Sequence, residues 1–281
     1  MSYHEITVVI TSFKSETKIN SCLDSIDSKL KVILVENSDN VDFKKKIEAK
    51  YSNVFCILSG ENLGYGKANN LGLSKVKTKF ALIINPDAKL DSKAIDNFFI
   101  TVEKKINFAL IGPYIQEEIF QNNSKSDKIE LTEVENIKGF AMFLNLEQFK
   151  DIGFFDENFF IYFEEIDLCR RVIENKKKIY LDPSIKIVHS GGSSHNDDIE
   201  YEMELSRNWH WMWSTFYFNK KYNGFFIALT KSIFKLLSFS VKSFFYLIFL
   251  NKTKSKIYFQ RMSGLFNSII GKKSWYRPKV F

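Results

Sequence analysis

The stretch Phe80-Ala81-Leu82-Ile83-Ile84-Asn85-Pro86-Asp87 sets five apolar residues in an unbroken run against a short polar turn carrying a carboxylate. A continuous apolar run of this length reads as a strand buried on both faces. Pro86 cannot donate to a sheet ladder, so the strand ends there and the turn stands at its C-terminal edge. Open α/β sheets bind their ligands at that edge. Asp87 is therefore placed to hold a hard cation, and a cation there can hold a diphosphate. A plain strand-ending turn would use the same residues, so the neighbouring segments have to decide.

Upstream, Glu5-Ile-Thr-Val-Val-Ile-Thr-Ser-Phe13 is a first strand that delivers Thr11 and Ser12 to the sheet edge. Ile19, Leu23 and Ile26 are spaced for a helix over Ser15–Leu30 laid on the sheet. Lys31-Val-Ile-Leu-Val forms a second buried strand ending in Glu36-Asn37-Ser38. A helix over Phe43–Tyr51 and a short strand over Val54–Leu58 follow. Strands alternating with helices predict a parallel sheet with crossovers. Next, Glu61-Asn-Leu-Gly-Tyr-Gly-Lys-Ala-Asn-Asn-Leu-Gly72 places Gly64 and Gly66 in a loop before a helix from about Lys67 to Ser74. Glycines allow close backbone approach, and a helix N-terminus offers free N–H groups to an anion. The glycine spacing is not that of the dinucleotide fingerprint.

Together these residues carry a resemblance. Glu36-Asn37-Ser38, then Asn62-Leu-Gly-Tyr-Gly-Lys-Ala-Asn-Asn-Leu-Gly72, then Leu82-Ile-Ile-Asn-Pro-Asp87 resemble a family 2 glycosyltransferase of the GT-A fold, most similar to its rhamnosyltransferase-like branch. The resemblance covers about residues 5–215. It implies a Rossmann-like, mostly parallel α/β sheet flanked by helices, with a nucleotide-sugar-binding half (1–100) and an acceptor half (101–206). It also implies that the first strand ends hold the nucleotide base and ribose through Thr11, Ser12 and Glu36, where the family usually has Asp. Asn37, Asn62, Gly64, Lys67, Asn70 and Asn85 join the implied donor set. The family's metal motif is Asp-x-Asp; here Asn85 takes its first place and Asp87 is the main carboxylate, for Mn2+ or Mg2+.

Farther on, Ile95, Phe98, Phe99 and Val102 point inward from a helix over Asp91–Lys104. A polar interval from Gln116 to Glu130 reads as a loop or hairpin near the substrate, or as a surface loop with no role. Ile137-Lys-Gly-Phe-Ala-Met-Phe-Leu-Asn145 resembles the family strand that floors the acceptor site. Aromatic residues then lead to Glu164-Glu165 at the start of a helix running to about Asn175. Adjacent carboxylates beside aromatics are costly unless solvated, paired or useful, and the helix N-terminus helps keep them ionised. An acidic first turn is also common in helices without function. The resemblance makes Glu165 the catalytic base, where Asp is commoner, with Glu164 the runner-up. Tyr180–Val188 reads as one strand ending at His189, which the resemblance adds to the metal site; His195 is read as structural or exposed.

The net charge of +7 hides a division. Arg207–Phe281 holds 14 Lys or Arg and no Asp or Glu, leaving 26 basic and all 33 acidic residues before it, a net of −7. Such asymmetry points to an anionic partner for residues 207–281. Gly224–Leu250 is strongly apolar but interrupted by Lys231, Lys235 and Lys242, and its longest clean run is far short of the roughly 20 residues a spanning helix needs. Helices with one apolar and one basic face fit attachment to an anionic membrane surface. Packing on the body or on a second subunit, giving a homodimer, is the alternative; no nucleic-acid motif is present. Three separated cysteines, with no CxxC pair, read as buried thiols. The start Met1-Ser-Tyr-His-Glu lacks a signal-peptide pattern, so a cytoplasmic enzyme, peripheral on the inner face of the cell membrane, is expected.

The expected activity is inverting, metal-dependent transfer of rhamnose or another hexose. The donor is a dTDP- or UDP-sugar and the acceptor a hydroxyl of a lipid-linked glycan in bacterial surface polysaccharide synthesis. The alternatives are a sugar nucleotidyltransferase, which should carry a Gly-rich basic loop where Thr11-Ser-Phe-Lys-Ser-Glu16 stands, and a non-catalytic membrane scaffold.

Overall fold

The computed structural model describes residues 2–104, 107–113, 130–189 and 195–280. The interval expected as a loop from Gln116 lies, up to residue 129, outside the described residues. The chain forms two compact units. The first holds Met1–Leu63, Lys67–Phe155 and Glu165–Asn196, and the second Gly64–Gly66, Asp156–Glu164 and Asp197–Phe281.

The strands, in chain order, are β1 (Ile6–Ser12), β2 (Lys31–Glu36), β3 (Val54–Leu58), β4 (Phe80–Ile84), β5 (Ala88–Leu90), β6 (Leu110–Pro113), β7 (Thr132–Glu133), β8 (Ala141–Asn145), β9 (Ile179–Asp182) and β10 (Ile187–His189). Among the described residues, the helices of the first part of the chain are α1 (Ile19–Leu23), α2 (Val41–Lys50), α3 (Tyr65–Leu73), α4 (Ala94–Glu103) and α5 (Glu164–Glu174). Eight of the described strands make one sheet in the order β3-β2-β1-β4-β8-β6-β9-β7, and β10 pairs with β5 apart from it. The β3-β2-β1-β4 half is parallel throughout, as the strand–helix alternation requires. Beyond β4 the sheet is mixed, because β8 runs antiparallel to both β4 and β6.

All five residues of β4 are at most 1% exposed, the consequence of a strand without a polar face at the centre of the sheet. Two expectations change. The helix expected over Ser15–Leu30 shrinks to α1, although Ile19, Leu23 and Ile26 are buried as expected. Ser25 Oγ donates to the Cys22 carbonyl at 2.6 Å, and Asp27 Oδ1 accepts from Lys29 N at 2.9 Å. Such local side-chain bonds compete with helix propagation. The strand expected over Tyr180–Val188 is two strands. Pro183 interrupts the ladder, and Ser184 N donates to Asp182 Oδ1 at 2.9 Å to fold the turn between them. All three cysteines are free and buried, and burial pushes their thiols up to about 12, which leaves them unreactive.

In the second unit, α6 (Glu200–Asn223), α7 (Phe225–Thr230), α8 (Ile233–Ile248) and α9 (Lys252–Ile269) follow one another. The charge change at Arg207 falls inside α6. Met212, Phe216, Ala228 and Leu265 form the core of this unit. Gly264 lets α9 close on α6, since a Cβ there would lie 2.1 Å from the Trp209 carbonyl oxygen. His210 is fully buried. Its Nε2 lies 2.8 Å from the Tyr276 carbonyl oxygen and its Nδ1 3.0 Å from Ser274 Oγ. A carbonyl only accepts, so Nε2 carries the proton and Nδ1 accepts from the serine.

Burial depresses the His210 pKa to about 3. The unfolded chain therefore binds a proton here that the folded one refuses, so this contribution to stability falls as pH drops below about 6.5. By pH 5 the loss is about 2 kcal/mol. Glu36, whose pKa burial raises to about 7, acts with the opposite sign, gaining stability as pH falls from 7 towards 4.5. The expected result is therefore in a difference. Thermal melts of His210→Gln and the parent converge by about 2 kcal/mol between pH 7.5 and 5. A constant gap would show that His210 does not stay neutral.

Candidate active site

The strand register builds the site. Ser12 lies opposite Glu36, and Ile10 opposite Ile84, so the ends of β2, β1 and β4 bring Glu36, Thr11, Ser12 and Asn85 to one sheet edge. β8 arrives at the same edge from the other direction, with Ala141 opposite Ile84. Just ahead of it, the Phe140 carbonyl accepts from Asn85 N at 2.8 Å, which anchors the Asn85-Pro86-Asp87 turn.

His189 reaches this turn through pairing rather than chain proximity. In the β10–β5 ladder it lies opposite Ala88, the residue after Asp87. Its Nε2 is 3.4 Å from Asp87 Oδ1, and its ring stacks on Phe140 at 4.5 Å between centroids. The Asp87 side chain is 2% exposed. Among the described residues, both of its oxygens, Asn85 Oδ1 and His189 Nε2 are buried with no hydrogen-bond partner. A buried carboxylate without donors is costly, which sets this group apart from an ordinary strand-ending turn. A carboxylate and an imidazole so placed suit Mn2+ or Mg2+, with the other positions open to ligand oxygens and water. Among the described residues no cluster of three or more His, Cys, Asp or Glu side chains is present.

Glu36 is 1% exposed, and burial raises its pKa to about 7 against the bond it accepts from Ser38 Oγ at 2.6 Å. Asn37 and Asn62 serve the loop after β3. Asn37 Nδ2 donates to Asn62 Oδ1 at 3.1 Å, and Leu63 N donates to Asn37 Oδ1 at 2.8 Å. Lys67 is exposed. Asn70 faces the protein itself, because its amide donates to the Phe155 carbonyl at 2.9 Å and accepts from Phe155 N at 3.0 Å. Gly64 also answers to the chain. Its φ is +82°, and a Cβ there would lie 2.2 Å from the Phe160 carbonyl oxygen, which accepts from Tyr65 N at 2.7 Å. The close approach it permits is therefore to Phe160.

Glu165 lies in the first turn of α5 against Gly139, where an added Cβ would lie 3.4 Å from the Glu165 Cβ. Burial raises its carboxyl pKa, with hydrogen bonds from the backbone N–H groups of Glu165 and Ile166 and then the Lys138 charge pulling the other way, and among the described residues Oε2 is buried without a hydrogen-bond partner. Glu164 is 5% exposed. The two residues ahead of it, Tyr162 and Phe163, both hold φ of +71°, a costly conformation for non-glycine residues that clusters at functional sites. His195 is buried.

Asp167 and Arg171, at i and i+4 on α5, form a clamp and not an exposed helix pair. Asp167 is fully buried and accepts from Arg171 Nε at 2.8 Å, while the same guanidinium donates to the carbonyls of Ile152 and Phe154. Arg171→Ala strands the buried carboxylate, and about 3–5 kcal/mol of stability is lost by chemical denaturation. A loss under about 1 kcal/mol, typical of an exposed pair, would show the clamp to be a surface feature. Phe140 and Lys138 carried no signal of their own beyond the strand they precede. The two strained aromatics were legible only as aromatic.

A half-parallel, half-mixed sheet with an acidic turn after its fourth strand and a carboxylate-bearing helix at the same edge defines the GT-A class of nucleotide-sugar enzymes. The model of Glycosyl transferase family 2 matches residues 7–170, more than half of the chain, and the chain belongs to that family. It is 26% identical over 190 residues to the low-salt glycan biosynthesis hexosyltransferase Agl10 of Haloferax volcanii, covering 59% of this chain and 61% of the relative, less than two thirds of its length. It is 24% identical over 241 residues to the rhamnosyltransferase WbbL of Escherichia coli, covering 73% of this chain and 89% of WbbL. In fold it is similar to the mannosyltransferase PcManGT of Pyrobaculum calidifontis, solved with GDP-Man and Mn2+, with a TM-score of 0.60 at 12% identity over 96% of this chain and 88% of that one.

Proposed function

We propose that this protein transfers a hexose, rhamnose or a relative of it, from a dTDP- or UDP-sugar to a hydroxyl of a lipid-linked glycan, with inversion at the anomeric carbon. The observation that supports the reading is the buried Asp87 carboxylate, with no hydrogen-bond partner among the described residues and 3.4 Å from His189 Nε2, at the sheet edge where α/β folds take nucleotides. Asp87 and His189 would hold a divalent cation, Mn2+ or Mg2+, and a cation bound there would supply positive charge to offset the charge developing on the leaving diphosphate. Thr11, Ser12 and Glu36 face the nucleotide, and Asn85 extends the polar turn.

Glu165 performs the proton transfer. Its carboxylate takes the proton of the acceptor hydroxyl as the oxygen bonds to the anomeric carbon from the face opposite the diphosphate. The bond from that carbon to the diphosphate oxygen breaks, and its electron pair leaves with the diphosphate. A pKa raised by burial makes the carboxylate the stronger base for this step. Residues 1–206 form the catalytic body in this reading. Residues 207–281 form an extension that keeps the enzyme at the inner face of the cell membrane, where a lipid-linked acceptor is found.

A thermal-shift series with dTDP-, UDP- and GDP-sugars, each with Mn2+, with Mg2+ or with EDTA, tests the donor side. The expected outcome is stabilisation by one nucleotide class only when metal is present, about 2.7 kcal/mol at one hundred times its Kd. A flat response to every pair would favour a non-catalytic scaffold.

A further inference from the structure

α8 is a 16-residue helix in which no side chain is buried. One face accounts for this. Phe234, Leu237, Val241, Phe244, Phe245 and Ile248 recur at helical spacing along a single stripe, from 51% to 79% exposed. The opposite face is engaged. Leu236 and Phe239 pack on the core of the second unit, Ser243 and Ser255 exchange hydroxyl-to-carbonyl bonds at 3.0 and 2.8 Å, and Tyr246 stacks on Tyr258 at 5.5 Å. The stripe is thus what remains after α9 has covered its share. Lys235 and Lys242 border it on one side, the Lys242 ammonium lying 5.4 Å from the Tyr258 ring centroid, and Lys231 precedes it. Past the helix end, Phe249 and Leu250 extend the apolar surface at 66% and 82% exposure.

We infer that the Phe234–Ile248 stripe of α8 is the element that meets the membrane, lying flat in the interface of an anionic bilayer with its lysines at the headgroups. This inference sharpens the membrane attachment proposed above and rests on it. Charge selects the occupant. The extension carries 14 basic residues and no acidic one from Arg207 onward, so anionic lipid complements it throughout. A second copy would bring the same face, with its lysines, against itself, and no carboxylate in the extension could offset them. Length selects the orientation. Sixteen residues span about 24 Å, less than the hydrocarbon core of about 30 Å. No helix among the described residues is long and apolar enough to cross a membrane.

The test is flotation of the full chain with vesicles of phosphatidylcholine alone and of phosphatidylcholine with phosphatidylglycerol. The parent protein is expected to float with the anionic vesicles. Leu237→Glu with Val241→Glu should cut binding by at least about tenfold, since it places charge in the apolar stripe. Lys235→Gln with Lys242→Gln should cut it by about 30-fold, at about 1 kcal/mol per lysine. Phe234→Ser with Phe245→Ser should also weaken binding, which guards against misfolding of the acidic pair.

Undiminished flotation of all three variants, or no flotation of the parent, overturns the inference. So does a parent dimer in light scattering that the acidic pair converts to monomer, because a second copy would then cover the stripe. Metal-dependent stabilisation by a sugar nucleotide is read on the same samples. Its absence beside intact flotation counts against sugar transfer and leaves the membrane face standing.

Discussion

Glu165→Gln lowers the rate of sugar transfer by about 10²–10⁴-fold, the range a positioned general base contributes, while donor binding stays within about twofold of the parent. Glutamine keeps the volume that packs against Gly139 and keeps the first turn of α5, so the helix and the sheet edge are undisturbed. What it removes is the atom proposed to accept the proton. The donor side proposed on Asp87 and the strand ends does not depend on that atom. The comparison is single-turnover transfer beside calorimetric donor titration, both with metal. Normal turnover would remove Glu165 from the base role and move it to Glu164. An equal fall in transfer and in donor affinity would make Glu165 part of the donor site instead. Because burial raises the Glu165 pKa, the rate should also climb with pH to a point above the ordinary carboxylate range, and Glu165→Gln should flatten that limb.

Asp87→Ala should invert its effect with conditions. In EDTA the variant melts at or above the parent temperature, because a carboxylate 2% exposed with no hydrogen-bond partner among the described residues is a burden to the fold and alanine removes it. With metal and donor the order reverses, and the variant forfeits the metal-dependent stabilisation, about 2.7 kcal/mol when ligand is at one hundred times Kd. This crossing separates a ligand site from a structural turn. A structural Asp87 would cost stability in both conditions. Donor affinity unchanged in the presence of metal would remove Asp87 from the diphosphate. His189→Ala should show the same crossing with a smaller amplitude, as a neutral ligand adds less charge to the site.

Much of this protein was legible locally. The apolar runs of β1, β2 and β4 leave them only a sheet interior, and the polar residues closing each run mark the edge at which open α/β sheets take ligands. α4 and α5 announce themselves by periodicity, and the Glu164-Glu165 pair stands at a helix start as its sequence implies. Strand, turn and helix-start signals act over a few residues, so the chain states them directly.

What the chain does not state locally is which distant residues meet. His189 joins Asp87 because β10 pairs with β5 in one register, and a single-residue slip would turn the imidazole to the other face. Asn70 and Gly64 read as ligand residues in the sequence, and only the fold shows that Phe155 and Phe160 lie beside them. The clamp of Arg171 on Asp167 looks like any helix pair until the carbonyls of Ile152 and Phe154 supply its other partners.

The extension draws the same line. Its charge and the shortness of its uninterrupted apolar runs were evident from the sequence. Its outward face was not, because α8 carries Leu and Phe all round, at 236 and 239 as at 237 and 244. Hydrophobic burial has no preferred direction. Only the seating of α9 on one side of that helix decides which apolar residues are covered and which are left to meet a surface.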